Sequence, residues 1–414
     1  MANEYFSVVP DEVAGLGEAV AGIGWDACNC GIFVAEHCKV AAAGFGGAIL
    51  QPVVAPINNA VETFRVRMGG IGSDLLSTSG ELRRAAWTYS AQDFDNYSAL
   101  NAVTVGLDGQ PVPVVSDREM PGFVKPYPTP VAYSKPNEIK LDPPSAAPAE
   151  LADLIADTTG VIGDVNDTIK NCTRLAGHEI NVLETILSPI TVNWNELRRI
   201  GESFKLAGNM MEASGKNLDA GVVRVGPHWD GKAARGFEDW AARQLPAMKW
   251  EGPVGRTISD LLNKAADVIR DNVRRVCESL KDMLASFIDL RSIKGIAKTV
   301  LKKIPGIGWG IEAFEMGTKL LSTLKLVQDI VSGTEKLRDA IKTFFEFLEN
   351  PVNTGREKVE QKLEPYTGKA ERTSEKVAQA ADLATVLQDA KAALGRPGGR
   401  YEAGSGTDPW ADAV

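Results

Sequence analysis

Cys28-x-Cys30, followed by His37 and Cys38, is the first cluster whose residue types could do chemistry, because thiolates and an imidazole can ligate zinc. The spacing argues against it. Structural zinc sites use two separated pairs of the C-x2-4-C kind, whereas these pairs are tight and neighbouring residues cannot easily turn to one ion. A helical surface carrying free thiols fits the pattern better. A disulfide from Cys28 or Cys30 to Cys38 is open to the chain in an oxidising compartment. Cys172 and Cys277 bring the cysteines to five, an odd number that cannot all pair internally. The three histidines, His37, His178 and His228, lie in no H-E-x-x-H pattern, and no G-x-S-x-G elbow or G-x-x-x-x-G-K-[ST] loop occurs. Acidic pairs are abundant, but on amphipathic helices they form solvated faces. No catalytic residue, metal ligand set or cofactor site is therefore read, and the chain is expected to be non-enzymatic.

The elements around these residues read as helices. Apolar positions Ile57, Val61, Phe64, Met68, Ile71, Leu75, Leu82, Ala86 and Tyr89 recur at heptad spacing, as for a helix facing one antiparallel partner. Val13, Leu16, Val20 and Ile23 place that partner within 11–40, and the glycines and prolines of 44–56 break the chain between the two. A second seam runs Trp194, Leu197, Gly201, Phe204, Gly208, Met211, Gly215, Leu218, Val222, Val225 and Trp229. Glycine costs a helix about 1 kcal/mol relative to alanine, so three on one seam predict close approach of another backbone. Gly226-Pro227-His228-Trp229-Asp230-Gly231 then breaks the helix, and Ala233, Ala234, Phe237 and Trp240 resume it: an antiparallel hairpin.

Between the two seams, residues 111–148 hold ten of the 22 prolines. Such a segment reads as an extended, semi-rigid linker, with a small hairpin around Asp108-Gly109 at 104–115 before it. Pro246 and Pro253 are expected to kink or interrupt the returning arm, and a further helix covers 257–290. Two more are predicted near 311–331 and 335–348. The charged, weakly apolar stretch 357–394 reads as a marginal, solvent-exposed helix, and the glycine-rich tail from Gly395 as flexible. The fold class is thus all-α: two antiparallel helical-hairpin or bundle modules joined by a Pro-rich linker, with extra C-terminal helices and a flexible tail. The segments are 1–100, 101–148, 149–350 and 351–414.

The run Trp194-x-x-Leu197 … Leu218 … Trp229-Asp230-Gly231-x-Ala233-Ala234-x-x-Phe237 resembles the W-x-G helical-hairpin family exported by type VII (ESX) secretion systems. There, Trp-x-Gly forms the turn between two antiparallel helices. Glycine permits the turn, and tryptophan covers the hairpin end. The first hairpin looks like the related secretion targets: Tyr89-Ser90-Ala91-Gln92-Asp93 matches their Y-x-x-x-D/E export signal, and no other tyrosine here has an acid four residues on. On a helix, i and i+4 share a face, so phenol and carboxylate present together. Trp25-Asp26-Ala27 lacks the glycine, and Trp250-Glu251-Gly252 ends no comparable seam.

The resemblance implies an exported, non-enzymatic binding or envelope-associated effector, cytoplasmic before export and secreted or cell-envelope associated after it. Implied partners are the secretion ATPase, a chaperone and another W-x-G-type helical protein, unless the two hairpins pair internally. With Tyr89 at the end of its helix, Tyr89→Ala and Asp93→Ala are expected to leave stability within about 0.5 kcal/mol, and Trp229→Ala to cost about 1–3 kcal/mol.

Composition sets the outer bounds. A net charge of −9 with no long Lys/Arg block offers no general footing for nucleic acid. Residues 1–6 show no Sec-type leader pattern, and no run of about 18 apolar residues reads as a spanning helix. The alternative reading, a membrane-active or toxin-delivery scaffold, rests on 304–330, where Lys302-Lys303 precede an apolar run ahead of Glu312 and Glu315.

Overall fold

The computed structural model describes residues 7–40, 51–105, 126–145, 193–285, 315–367, 374–394 and 399–402. The fold is all-α. Its helices are α1 (Pro10–His37), α2 (Gln51–Val105), α3 (Trp194–Val225), α4 (Lys232–Ala285), α5 (Glu315–Glu349), the single turn α6 (Pro351–Thr354), α7 (Arg356–Thr367) and α8 (Ser374–Leu394). Among the described residues, the only β pairing is an isolated antiparallel bridge between Val8 and Trp229.

Each long helix forms for a visible reason. Along α1, Val13, Leu16, Val20, Ile23, Ala27, Cys30 and Val34 are all buried, a continuous 3–4 seam started by Pro10 at the first helical position. Asn193 caps α3 by accepting the Glu196 N–H through its side chain at 3.1 Å. The glycines of the second seam do what their placement predicts. A Cβ at Gly201 would stand 3.0 Å from Ser259 Cα, and one at Gly208 would collide with the Glu251 carbonyl, so α3 and α4 touch backbone to backbone. The pairs Gly201 with Ser259 and Gly215 with Met248 run in opposite chain directions, as do Gly17 with Ser79 and Gly31 with Arg65, so both pairings are antiparallel.

The two hairpins do not stand apart. Helix α1 lies between α2 and α3, α3 lies between α1 and α4, and α5 packs on both α2 and α4. One core runs through all of them: the ring of Phe204 on α3 meets Phe64 of α2 at 5.6 Å and Phe345 of α5 at 6.2 Å. A buried Arg67–Glu251 pair joins α2 to α4, with the guanidinium also 4.5 Å from the Trp250 ring.

Several local expectations change. Helix α2 contains Pro56 and continues through Tyr89 to Val105, and α4 runs unbroken through Pro246 and Pro253. Each proline removes one helical hydrogen bond, but Met248, Trp250, Val254 and Ile258 on that stretch of α4 are buried, and their burial outweighs the loss. The two helices expected at 311–331 and 335–348 are one, α5. Residues 104 and 105 are helical, and the rest of the 104–115 hairpin lies outside the described residues, as do Cys172, His178 and 286–314.

The segment 357–394 is not a solvent-exposed helix but two helices with an inner face. Val359 and Leu363 of α7 and Val386, Leu387 and Ala390 of α8 are buried, α8 against α4. The proline-rich residues 126–145 lie along the bundle rather than free of it. Val131 N–H donates to Asp11 O at 3.0 Å, Lys135 pairs with Asp26 at 2.5 Å, and Asn137 exchanges amide hydrogen bonds with Asn217.

Candidate functional site

The site begins at the turn between α3 and α4. A one-turn 3₁₀ segment, Gly226–His228, leads into Trp229, whose backbone is extended at φ −148°. Residues 7–9 pair with it: Val9 N–H donates to His228 O at 2.8 Å and Asp230 N–H to Ser7 O at 3.0 Å. Gly231 follows with φ 101°, a left-handed conformation that favours glycine. Its N–H donates to Asp230 Oδ1 at 2.6 Å, and its carbonyl accepts the Arg235 N–H to begin α4. Glycine at position 231 is therefore a conformational requirement of this turn.

The tryptophan does more than cover the hairpin end. It is 3% exposed, and its ring packs 5.8 Å from Phe237. Its indole Nε1–H donates to the hydroxyl of Tyr89 at 3.2 Å, in buried surroundings, across 140 residues of sequence. The two motifs singled out in separate hairpins thus meet at one hydrogen bond.

Tyr89 continues the heptad seam, and the structure buries it more fully than a residue at a helix end would be. It is 2% exposed, sits inside α2 and contributes its ring to the core. Burial pushes its phenol above the usual range, against a smaller opposing pull from the indole N–H. Tyr89→Ala consequently cannot be a stability-neutral substitution. Asp93 continues α2 one turn further on, and its side chain lies outside the described residues. Beside Tyr89, Ser90 shares a 2.6 Å hydrogen bond with the Tyr127 hydroxyl, and the rings of Trp87 and Tyr127 meet edge-on at 5.2 Å.

A third tyrosine completes the junction, and sequence reasoning missed it. Tyr401 is 4% exposed, in the tail expected to be flexible. Its backbone N–H donates to Thr78 Oγ1 of α2 at 3.1 Å, and its hydroxyl donates to Ala233 O of α4 at 3.2 Å. Its ring stands edge-on to Trp229 at 6.3 Å and to Phe237 at 5.6 Å. A lone aromatic in a glycine-rich stretch is the only signal the sequence carries for it.

This chemistry is that of packing and hydrogen bonding. Burial raises the Tyr89 and Tyr401 phenols, so both stay neutral donors and acceptors at neutral pH. The described cysteines sit elsewhere: Cys28 and Cys30 on α1, Cys38 at its C-cap and Cys277 on α4. Cys30 and Cys38 are buried, and burial lifts both thiols well above the ordinary range. A disulfide from Cys28 or Cys30 to Cys38 does not fit this fold. Eight to ten residues of continuous helix separate their Cα atoms by about 12–15 Å, while a disulfide tolerates no more than about 7 Å.

Trp25, set in the Trp25-Asp26-Ala27 sequence, is 60% exposed within α1, whereas Trp250 is buried inside α4. No helix among the described residues is long and apolar enough to cross a membrane. No family model, no curated protein and no solved structure matches the chain.

Proposed function

We propose that this chain is a substrate of a type VII (ESX) secretion system: a non-enzymatic helical protein, cytoplasmic before export and secreted or envelope-associated after it. The single observation that carries the reading is the Trp229–Tyr89 hydrogen bond, 3.2 Å long and buried. A motif that resembles the family's export signal and one that resembles its hairpin turn, read far apart in the sequence, meet in one hydrogen bond.

In this reading Trp229 and Gly231 shape the turn, Tyr89 fixes the turn against α2, and Asp93, one helical turn beyond Tyr89, supplies the charge that the secretion ATPase or a chaperone recognises. The packing of α1 on α3 supports internal pairing of the two hairpins, so a separate W-x-G-type partner is not required to build the bundle. The membrane-active alternative gains no comparable support. Val327 and Ile330, in the part of 304–330 that the structure describes, are buried on the bundle.

The test is where the intact chain accumulates. Culture filtrate and cell-envelope fractions of wild-type cells are compared with those of cells lacking each ESX system in turn. Loss of the exported chain in one mutant is the expected result. An unchanged location in every mutant sinks the proposal. Asp93→Ala in the wild-type background should block export and leave thermal melting unchanged; normal export of that variant would move recognition away from the Tyr89–Asp93 pair.

A further inference from the structure

Residues 399–402 belong to no helix, yet they are held as a docked peptide is held. Four interactions anchor them, shared between the two hairpins. On α4, Trp240 Nε1–H donates to Gly399 O at 3.0 Å and Ala233 O accepts the Tyr401 hydroxyl; on α2, Thr78 Oγ1 accepts the Tyr401 N–H. The fourth is the ring itself, set edge-on to both Trp229 and Phe237.

Gly399 adopts φ +78° with open space around it, so glycine is needed there for conformation rather than clearance. The charges of the segment are turned on each other, Arg400 pairing with Glu402 at 3.2 Å. One aromatic anchor, a few main-chain hydrogen bonds and a glycine hinge make a reversible ligand, since a small number of buried anchors carries most of the affinity in such interfaces.

We propose that the cleft between α2 and α4 is a receptor for a tyrosine-bearing peptide, that 399–402 occupies it in cis as a latch, and that leaving it uncovers the Trp229–Tyr89 junction. The occupant is the chain's own Gly399-Arg400-Tyr401 segment. The Tyr401 ring stands edge-on to Trp229 at 6.3 Å, so vacating the cleft removes that contact from the indole. The inference stands on the geometry alone and does not depend on export.

The experiment uses the full chain with Tyr401→Ala, in which the anchor is gone and the cleft is vacant. Hydrogen exchange at the Trp229 and Trp240 indole N–H groups is read by NMR. It is expected to quicken by at least about tenfold, the effect of losing roughly one net hydrogen bond of protection. A synthetic peptide of residues 396–405, added in trans, should bind saturably and restore slow exchange, while the same peptide carrying Tyr401→Ala should not. Wild-type chain should bind the peptide more weakly than the variant, because its cleft is already filled. Thr78→Val, which removes the acceptor for the Tyr401 N–H, should weaken peptide binding when placed in the Tyr401→Ala chain, because the added peptide needs the same acceptor; unchanged affinity there would also overturn the proposal. Unchanged indole exchange in Tyr401→Ala, failure of the peptide to bind that variant, or collapse of its helical melting transition would each overturn the proposal. The last of these would make Tyr401 an integral core residue rather than a latch.

Discussion

The substitution Tyr89→Phe, taken within a double-mutant cycle, tests the bond on which the functional proposal turns. It keeps the ring, which is 2% exposed, and removes only the oxygen that accepts the Trp229 indole N–H at 3.2 Å. A buried donor left without its acceptor costs about 1–3 kcal/mol. Trp229→Phe removes the donor together with part of the indole. In a double-mutant cycle the bond should appear as a coupling energy of about 0.5–1.5 kcal/mol. Tyr89→Ala and Trp229→Ala are far harsher, because each empties a buried aromatic site; large-to-small changes of that kind cost about 3–5 kcal/mol. Urea unfolding followed by far-UV circular dichroism, compared through the midpoint at constant slope, gives all four corners of the cycle. If Tyr89→Phe stays within about 0.5 kcal/mol of wild type and the coupling vanishes, the hydrogen bond is not made in solution and the two motifs are not one element. If the coupling is present, export of Tyr89→Phe can be compared with that of Tyr89→Ala, whose secretion defect would be inseparable from misfolding.

Other perturbations test the packing around that site. Gly208→Ala drives a methyl into the Glu251 carbonyl across the α3–α4 seam and should cost about 1–3 kcal/mol by thermal unfolding. Gly22→Ala meets nothing and should be neutral or stabilise by about 0.4–1 kcal/mol; the reverse order would contradict the seam. Glu251 is buried, and burial raises its carboxyl above the usual range while Arg67 pulls the other way. The native state then holds that proton more tightly than the unfolded chain does, so its contribution is fully present below the unfolded value and is lost as pH rises through the folded one. The stability advantage of wild type over Glu251→Gln should therefore shrink as pH rises above the ordinary carboxyl range, and an advantage that grows would reverse the assignment. Cys30 and Cys38, buried and held as thiols, should resist alkylation until denaturant is added. A non-reducing digest of the folded, air-oxidised chain should contain no link from Cys28 or Cys30 to Cys38.

What was legible in the sequence, and what was not, divides along the range of the interaction. Periodic apolar spacing is a local property, so the seams at 57–89 and 194–229 announced their helices, and Gly201, Gly208 and Gly215 announced the backbone they would meet. Prolines misled because their cost is local and their compensation is not. Pro246 and Pro253 each forfeit a helical hydrogen bond, but the inward face carrying Met248, Trp250 and Val254 is buried by α3 and α8, and no window of sequence shows those partners. The stretch 357–394 looked solvated because its apolar residues are few. Val386, Leu387 and Ala390 still line one face, and Trp250 donates its indole N–H to Val386 O at 3.1 Å to fix that face on α4. Tyr401 had no periodicity to betray it, and the proline-rich 126–145 looked like a spacer because its anchors, Val131 to Asp11 and Asn137 to Asn217, belong to helices elsewhere in the chain.

Placing both hairpins on one chain alters the physics of their junction. Two separate hairpins would pay the loss of translational and rotational freedom each time Tyr89 met Trp229, and dilution would part them. Joined, they meet at the effective concentration that a covalent link imposes, and residues 126–145 between them are packed along α1 and α3. Trp229 is reached from three directions: backbone pairing from residues 7–9, the Tyr89 hydroxyl from α2, and the Tyr401 ring from the segment beyond α8. None of these is a neighbour in sequence, so the complete arrangement exists only once both hairpins have docked and 399–402 has found its cleft. A buried junction assembled in this way exists only in the folded bundle, so a chain whose two motifs are intact but whose fold is not lacks it.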